Sequence, residues 1–281
     1  MADITISNAL SIGNTQLQKI TTNYINETFW ILSKSLNQSK SELLVNKNNI
    51  INSNQFNYFI NLINRRSKYE PLQLILESVP FYKYEFYTYK DVFIVRPETE
   101  LCIDILKKYN RNFNSTLEVG CGLGCISITL SLEELSSDIV AFDINSQAIK
   151  ASKMNAKKFK CNNIKFIHNN IFNAHHTKKY DLIISNPPYI AISEIQNLDS
   201  NVVLYDPLEA LTDFNDGLNF YKYFADFGYE LLSKNGIMLF EFGGEKQKKI
   251  LKNIFNFKNY KLSFFNDFNN IPRFLAVQLC N

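Results

Sequence analysis

Proline is absent before Pro71, and Gly13 is the only glycine in that stretch. Apolar residues there recur at helical spacing, as in Phe29, Trp30, Leu32 and Leu36, and again in Phe56, Phe59, Ile60 and Ile63. A long stretch without breakers and with a period near 3.6 reads as packed helices. We therefore expect a small helical domain over residues 1–75, with Lys47–Asn49 and Asn52–Asn54 as polar loops or helix caps.

The texture changes between Pro71 and Pro80. The run from Phe81 to Lys90 is dense in aromatics, and Tyr82, Tyr84 and Phe86 alternate with Lys83 and Glu85. A second apolar run, Val92–Val95, follows Lys90 and Asp91. The two runs predict a β-hairpin over 76–96 joining two domains. Aromatics interleaved with Lys can stack on nucleic-acid bases; the reading adopted is a half-buried hairpin covering a domain joint. From residue 97 onward strand and helix patterns alternate. Pro97 suits the first turn of a helix over Glu98–Lys108. Strands are expected at 115–119, 138–142, 164–168, 181–185, 236–241, 261–265 and 275–279, with helices at 147–159 and 218–233 between them. Such alternation predicts an α/β domain over 97–281, a mostly parallel sheet of about seven strands with helices on both faces.

Composition narrows the function classes. The chain has 281 residues and a formal net charge of +3, from 30 basic and 27 acidic residues, too even a balance to argue for a nucleic-acid partner. Only 5 of the basic residues are Arg, and Asn occurs 36 times. This is the signature of an AT-rich genome, so surface Lys and Asn carry little functional weight. The start, Met1-Ala2-Asp3-Ile4-Thr5, lacks a basic and then apolar leader pattern, and no stretch approaches a membrane span. Five scattered cysteines, Cys102, Cys121, Cys125, Cys161 and Cys280, read as reduced thiols of a cytoplasmic protein. Neither they nor His168, His175 and His176 form a metal-ligand pattern, so no metal is expected.

The first α/β strand runs into Gly120-Cys121-Gly122-Leu123-Gly124. Glycines between a strand and a helix allow a tight turn and close approach of a ligand to the backbone, at the strand end where open α/β sheets bind ligands. Asp143 follows at the tip of the second strand, where a carboxylate can accept from both ribose hydroxyls; its alternative role is to cap the next helix. Gly-x-Gly-x-Gly with this acid favours S-adenosylmethionine over NAD, and no P-loop lysine follows the glycines.

The fourth strand runs into Asn186-Pro187-Pro188-Tyr189. An amide or aryl-amine nitrogen is a poor nucleophile because its lone pair is delocalised. Two acceptors on its N–H groups would weaken that delocalisation and stabilise the charge developing on nitrogen during methyl transfer. The Asn186 side-chain oxygen and the Pro187 carbonyl can be those acceptors. Pro188 restricts the turn, and the Tyr189 ring can stack on a flat substrate group.

With these motifs the sequence resembles the class I (Rossmann-like) S-adenosylmethionine-dependent methyltransferases that modify nitrogen. Adenine-N6 DNA enzymes, guanine-N2 RNA enzymes and protein-glutamine N5 enzymes share the Asn-Pro-Pro-Tyr motif. Arg96-Pro97-Glu98-Thr99-Glu100, Pro71-Leu72-Gln73, Tyr205-Asp206-Pro207, Asp216-Gly217-Leu218, Glu241, Gly243 and Ile271-Pro272-Arg273 resemble segments of the release-factor glutamine methyltransferases, the PrmC/HemK family. The resemblance covers about residues 71–281. It implies N5-methylation of the glutamine in the Gly-Gly-Gln motif of class 1 peptide-chain release factors in translation termination; the alternative is a nucleic-acid amine methyltransferase. It further implies that the helical domain helps hold the release factor. From hydropathy and charge, neither a membrane nor a nucleic-acid partner is expected, and the chain is expected to be a monomer. Gly120, Cys121, Gly122, Leu123 and Gly124 would hold the methionine part of the cofactor, and Asp143 the ribose. Asn170, Ile171 and Phe172 would line the adenine, with the choice among residues 169–172 open. Asn186 to Tyr189 would clamp the glutamine amide, with Asn186 also near the cofactor and Arg96 at the substrate. The chain departs from the family pattern in Glu118, where Asp is common, in Asn170, where many members carry Asp, in Ile171, often an aromatic, and in Val95, usually Pro.

Overall fold

A computed structural model describes residues 4–173, 178–257 and 260–279. His175, His176 and Cys280 lie outside the described residues. The chain divides into two compact units, Met1–Ser78 and Val79–Asn281.

The first unit is helical: α1 (Ile6–Leu17), α2 (Tyr24–Leu36), α3 (Lys40–Val45), α4 (Ser53–Ser67) and α5 (Leu72–Leu76). Polar side chains start several of these helices. Thr5 and Asn8 form a capping box on α1, Ser39 and Glu42 another on α3, and Asn52 accepts from the Gln55 amide at the head of α4. The core is the apolar stripe of each helix, with Ala9, Leu17, Ile31, Leu32, Phe59, Leu62 and Ile63 fully buried. Gly13 lies where α1 packs against α2 and α4. A Cβ there would stand 2.6 Å from Thr28 Cγ2 and 2.9 Å from Phe59 Cζ. Beside that core, buried Glu27 takes Arg66 Nε at 2.7 Å and the Thr21 hydroxyl at 3.0 Å.

The second unit opens with a hairpin, β1 (Ser78–Phe81) and β2 (Tyr84–Tyr87). Its turn is Tyr82-Lys83, with Tyr82 at φ +58. The expected second arm, Val92–Val95, is not a strand. Alternation misled because a two-residue turn preserves parity, so one strand and its return read as a single run. A 3₁₀ turn (Pro97–Glu100) and α6 (Leu101–Lys107) follow.

The remaining elements are β3 (Thr116–Val119), α7 (Cys125–Leu132), β4 (Ile139–Asp143), α8 (Ser146–Phe159), β5 (Ile164–His168), β6 (Tyr180–Ser185), α9 (Ser200–Tyr205), α10 (Leu208–Leu211), α11 (Asn219–Leu231), β7 (Leu232–Glu241), α12 (Glu245–Ile254), β8 (Tyr260–Asn266) and β9 (Pro272–Leu279). The sheet has seven strands in the order β5-β4-β3-β6-β7-β9-β8, with β9 antiparallel to both neighbours and the rest parallel. The expected strands are all present, β7 beginning four residues earlier than the pattern suggested. The hairpin packs on α8 of this same unit. The Tyr87 amide donates to Asn155 Oδ1 at 2.8 Å, and the Phe86 and Phe159 rings lie 5.0 Å apart.

Strand order reverses at β3. The chain runs outward through β4 and β5, then returns to place β6 on the other side of β3. That reversal opens a crevice beyond the carboxyl ends of β3 and β6, because the connecting segments leave in opposite directions. Register puts Val119 beside Ser185, so the residues following each strand emerge side by side.

Candidate active site

The glycine loop starts directly after Val119. Gly120, Gly122 and Gly124 all have positive φ, +76, +52 and +80, which an L side chain adopts only with strain. Gly120 and Cys121 both donate to the Phe142 carbonyl, at 2.8 and 3.0 Å, fastening the loop to the end of β4. At Gly122 a Cβ would meet nothing within 4 Å, so the backbone there faces open space. Gly124 faces inward, where a Cβ would lie 3.0 Å from Ser152 Cβ on α8.

Asp143 ends β4 beside this loop. One carboxylate oxygen accepts from the Gly122 amide and the other from the Asn145 amide, each at 2.8 Å. Asn145, not Asp143, caps α8, accepting from the Gln147 amide at 2.8 Å. Burial pushes the Asp143 carboxyl above its ordinary value, the two amides oppose this, and Glu209 across the cleft adds to the rise.

On the other side of β3, the Ser185 hydroxyl donates to the Val119 carbonyl at 2.7 Å, joining the ends of β3 and β6. Asn186 follows. Its amide nitrogen donates to Thr99 Oγ1 at 3.1 Å, and the Thr99 hydroxyl donates to Glu241 Oε2 at 2.7 Å. Thr99 and Glu241 are both buried. With the nitrogen so engaged, the Asn186 side-chain oxygen is the group left to accept a hydrogen bond. Tyr189 is held by its backbone: its carbonyl accepts from Gln247 Nε2 at 2.7 Å, and Gly217 packs so tightly on that carbonyl that a Cβ would collide with it. Its ring lies over Gly243 and against the core under β7, and burial drives the phenol far above its ordinary value.

One cleft gathers most of these groups. Of the residues named from sequence, Gly120, Gly122, Asp143, Asn170, Ile171, Asn186, Pro187 and Pro188 line it. Cys121, Leu123, Gly124, Phe172, Tyr189 and Arg96 are not among its walls. Cys121 and Leu123 are buried within the loop. The Phe172 ring lies tilted, 4.8 Å from that of Phe220, which itself lines the cleft. Arg96 pairs with Asp206 and covers the Phe93 ring at 5.1 Å. The Asn170 side-chain oxygen already accepts from the Phe172 amide at 3.0 Å, so one of its two acceptor sites is committed to the backbone. Glu118 turns away from the cleft. It accepts from the Ser127 amide at 3.0 Å and from the Ser127 hydroxyl, and burial raises its carboxyl to about 8. Sequence reading missed Phe93, Glu209 and Phe220 as walls, and Thr99 as the partner of Asn186. Thr99 carried one available signal, its place in the Arg-Pro-Glu-Thr-Glu segment.

These features fit an adenosyl group bearing a charged methionine tail. Open backbone at Gly122, the half-buried Asp143 carboxylate and apolar walls of Val119, Phe142 and Ile171 are the complement of such a ligand.

Comparison with known proteins agrees. Residues 8–76 match the model of the PrmC N-terminal domain, and residues 84–204 match the methyltransferase small domain. The release factor glutamine methyltransferase of Bacillus cereus is 30% identical over 259 residues, covering 89% of this chain and 90% of that protein. That of Buchnera aphidicola is 31% identical, covering 78% and 80%. The chain belongs to the release factor glutamine methyltransferase family. The family member of Fusobacterium nucleatum is 38% identical over 196 residues, 68% of this chain and 55% of that one. With a bifunctional methyltransferase of Rickettsia bellii, of which 45% is covered, it shows that the chain spans about half the length of several family relatives. A methyltransferase of Pyrococcus furiosus superposes with a TM-score of 0.53 at 12% identity, over 69% of this chain and 87% of that one, a likeness of fold. The methyl donor of this class I methyltransferase domain is S-adenosyl-L-methionine. Among the described residues no helix is long and apolar enough to cross a membrane.

Proposed function

We propose that this chain methylates the side-chain amide nitrogen of the glutamine in the Gly-Gly-Gln motif of class 1 peptide-chain release factors. The observation that carries the reading is the Asn186 amide: its nitrogen is tied back to Thr99, leaving its oxygen as an acceptor in a cleft it shares with Gly122 and Asp143. When bound, S-adenosyl-L-methionine supplies an electrophilic methyl group on a sulfonium. The backbone of Gly120 and Gly122 would hold its methionine part, Asp143 would accept from the ribose, and Asn170 and Ile171 would flank the adenine. Cys121, Leu123 and Gly124 shape the loop from behind, and Phe172 packs on the cleft wall at Phe220.

The Asn186 oxygen and the Pro187 carbonyl accept the two N–H groups of the target amide. They would orient its nitrogen and stabilise the positive charge developing there. The methylated nitrogen is strongly acidic and releases a proton without a dedicated base. Residues 1–75 form the release-factor recognition domain, 76–96 the joint and 97–281 the catalytic domain, in a cytoplasmic monomer. Arg96 acts at the substrate side by bracing the Asp206 loop, and Tyr189 by anchoring the turn. The near-neutral charge favours a protein over a nucleic-acid substrate. Incubation with labelled S-adenosylmethionine, a release factor and duplex DNA tests this. Label on the release factor, lost when its Gly-Gly-Gln glutamine is replaced, is expected; label on DNA alone overturns the reading.

A further inference from the structure

We propose that Thr99 and Glu241 are positioning residues that set which end of the Asn186 amide faces the cleft. The inference rests on the methyl-transfer reading above and deepens it. A planar amide presents either its oxygen or its NH₂ to the substrate, and the two are nearly identical in shape. Only the oxygen can accept a substrate N–H. What selects it is the direction of a two-bond chain. A carboxylate accepts and never donates, so the single Thr99 hydroxyl proton goes to Glu241, across 2.7 Å. The Thr99 oxygen then has only lone pairs left, and it takes the Asn186 NH₂ at 3.1 Å. Thus the Asn186 oxygen turns to the cleft.

Protonation of Glu241 removes this constraint. A protonated carboxyl can donate to Thr99, freeing the threonine proton to donate to the Asn186 oxygen and turning NH₂ toward the substrate. Burial raises the Glu241 carboxyl to about 7, so this proton equilibrium falls in the neutral range. Among the described residues, charged and titratable groups on several elements bear on it. Arg273 on β9 and Arg96 before α6 favour the ionised form, while Glu98 beside Arg96 opposes it. Cys102 on α6, Tyr189 and Tyr221 on α11 feel its charge. Both arginines are bonded elsewhere, Arg273 to Asp267 at 3.0 Å and Arg96 to Asp206. The Glu241 charge is therefore held in place mainly through Thr99.

The test compares the parent chain with Thr99→Val, Thr99→Ser and Glu241→Gln. With saturating release factor, Thr99→Val lowers kcat by more than about tenfold. Thr99→Ser restores most of it, and affinity for S-adenosylhomocysteine by calorimetry changes less than about twofold. The parent's kcat rises with pH through about 7, and Glu241→Gln abolishes that rise. A second readout needs no turnover. In the ligand-free parent, the Asn186 side-chain NH₂ resonances, assigned by their loss in Asn186→Asp, titrate near neutral pH and stop titrating in Glu241→Gln. Near-parent kcat in folded Thr99→Val, or an Asn186 titration unchanged by Glu241→Gln, overturns the proposal. If Thr99→Val does not fold, Thr99→Ser and Glu241→Gln decide it. A parent that labels no release factor refutes the substrate reading, and the resonance titration then judges the relay by itself.

Discussion

The Gly122 amide donates to the Asp143 carboxylate across 2.8 Å. The loop after β3 and the acid ending β4 therefore form one constructed surface. Each Asp143 oxygen spends one lone pair on a backbone amide and keeps capacity for a ligand hydroxyl. Asp143→Ala is expected to weaken S-adenosylmethionine binding by about 1.5–3 kcal/mol, the worth of a charge-assisted hydrogen bond. Calorimetry checks this, and unchanged affinity removes Asp143 from the ribose site.

Asn186→Ala is expected to lower kcat by about 10²-fold or more, because the lost acceptor acts on charge that exists only in the transition state. Cofactor affinity should change far less. Parallel measurement of turnover and of S-adenosylhomocysteine binding separates the two, and near-normal turnover refutes the clamp.

Gly217→Ala tests the support of the Asn-Pro-Pro-Tyr turn. Gly217 sits at φ +75 with no room for a Cβ beside the Tyr189 carbonyl. The variant should lose more than about 1 kcal/mol of stability, and turnover should fall as the turn is displaced. Denaturant melts and kcat on the same preparation report both effects.

Gly13→Ala tests the helical unit. Its methyl would enter a contact already filled by Thr28 and Phe59. Overpacking there should cost about 1–3 kcal/mol, more than the helix propensity of alanine returns. An unchanged melting transition would show that the helices can separate at no cost.

Glu118 provides a pH test. Burial raises its folded-state carboxyl from an ordinary 4.5 to about 8. Between those values the folded chain keeps a proton that the unfolded chain has released. Its contribution to stability is thus complete below about pH 4.5 and is lost as pH rises through about 8. Glu118→Gln removes that dependence, so its stability should fall less than the parent's from pH 5 to about 8. Melting curves of both proteins across this range check the sign, and parallel curves refute it.

The two conspicuous motifs could be read from sequence because each is local. A glycine run after a strand and a proline turn after a strand need only short-range chemistry to be recognised, and the alternation of elements from residue 97 to 279 located both at strand ends. The helical unit was equally legible, since its apolar period is carried by neighbouring turns. The hairpin was only half legible: a two-residue turn at Tyr82-Lys83 does not interrupt alternation, and Val92 and Phe93 turned out to line the cleft. Adjacency of Gly120 with Asn186 was decided by the tertiary structure, through the return of β6 to the free edge of β3 and the pairing of Val119 with Ser185. So was the link from Asn186 through Thr99 to Glu241, three residues on separate elements. Hydrogen bonds between distant segments leave no period in a chain, because nothing in the residues between them has to repeat. Sequence alone determined which chemistry the chain can carry, and the sheet topology decided which of its groups meet.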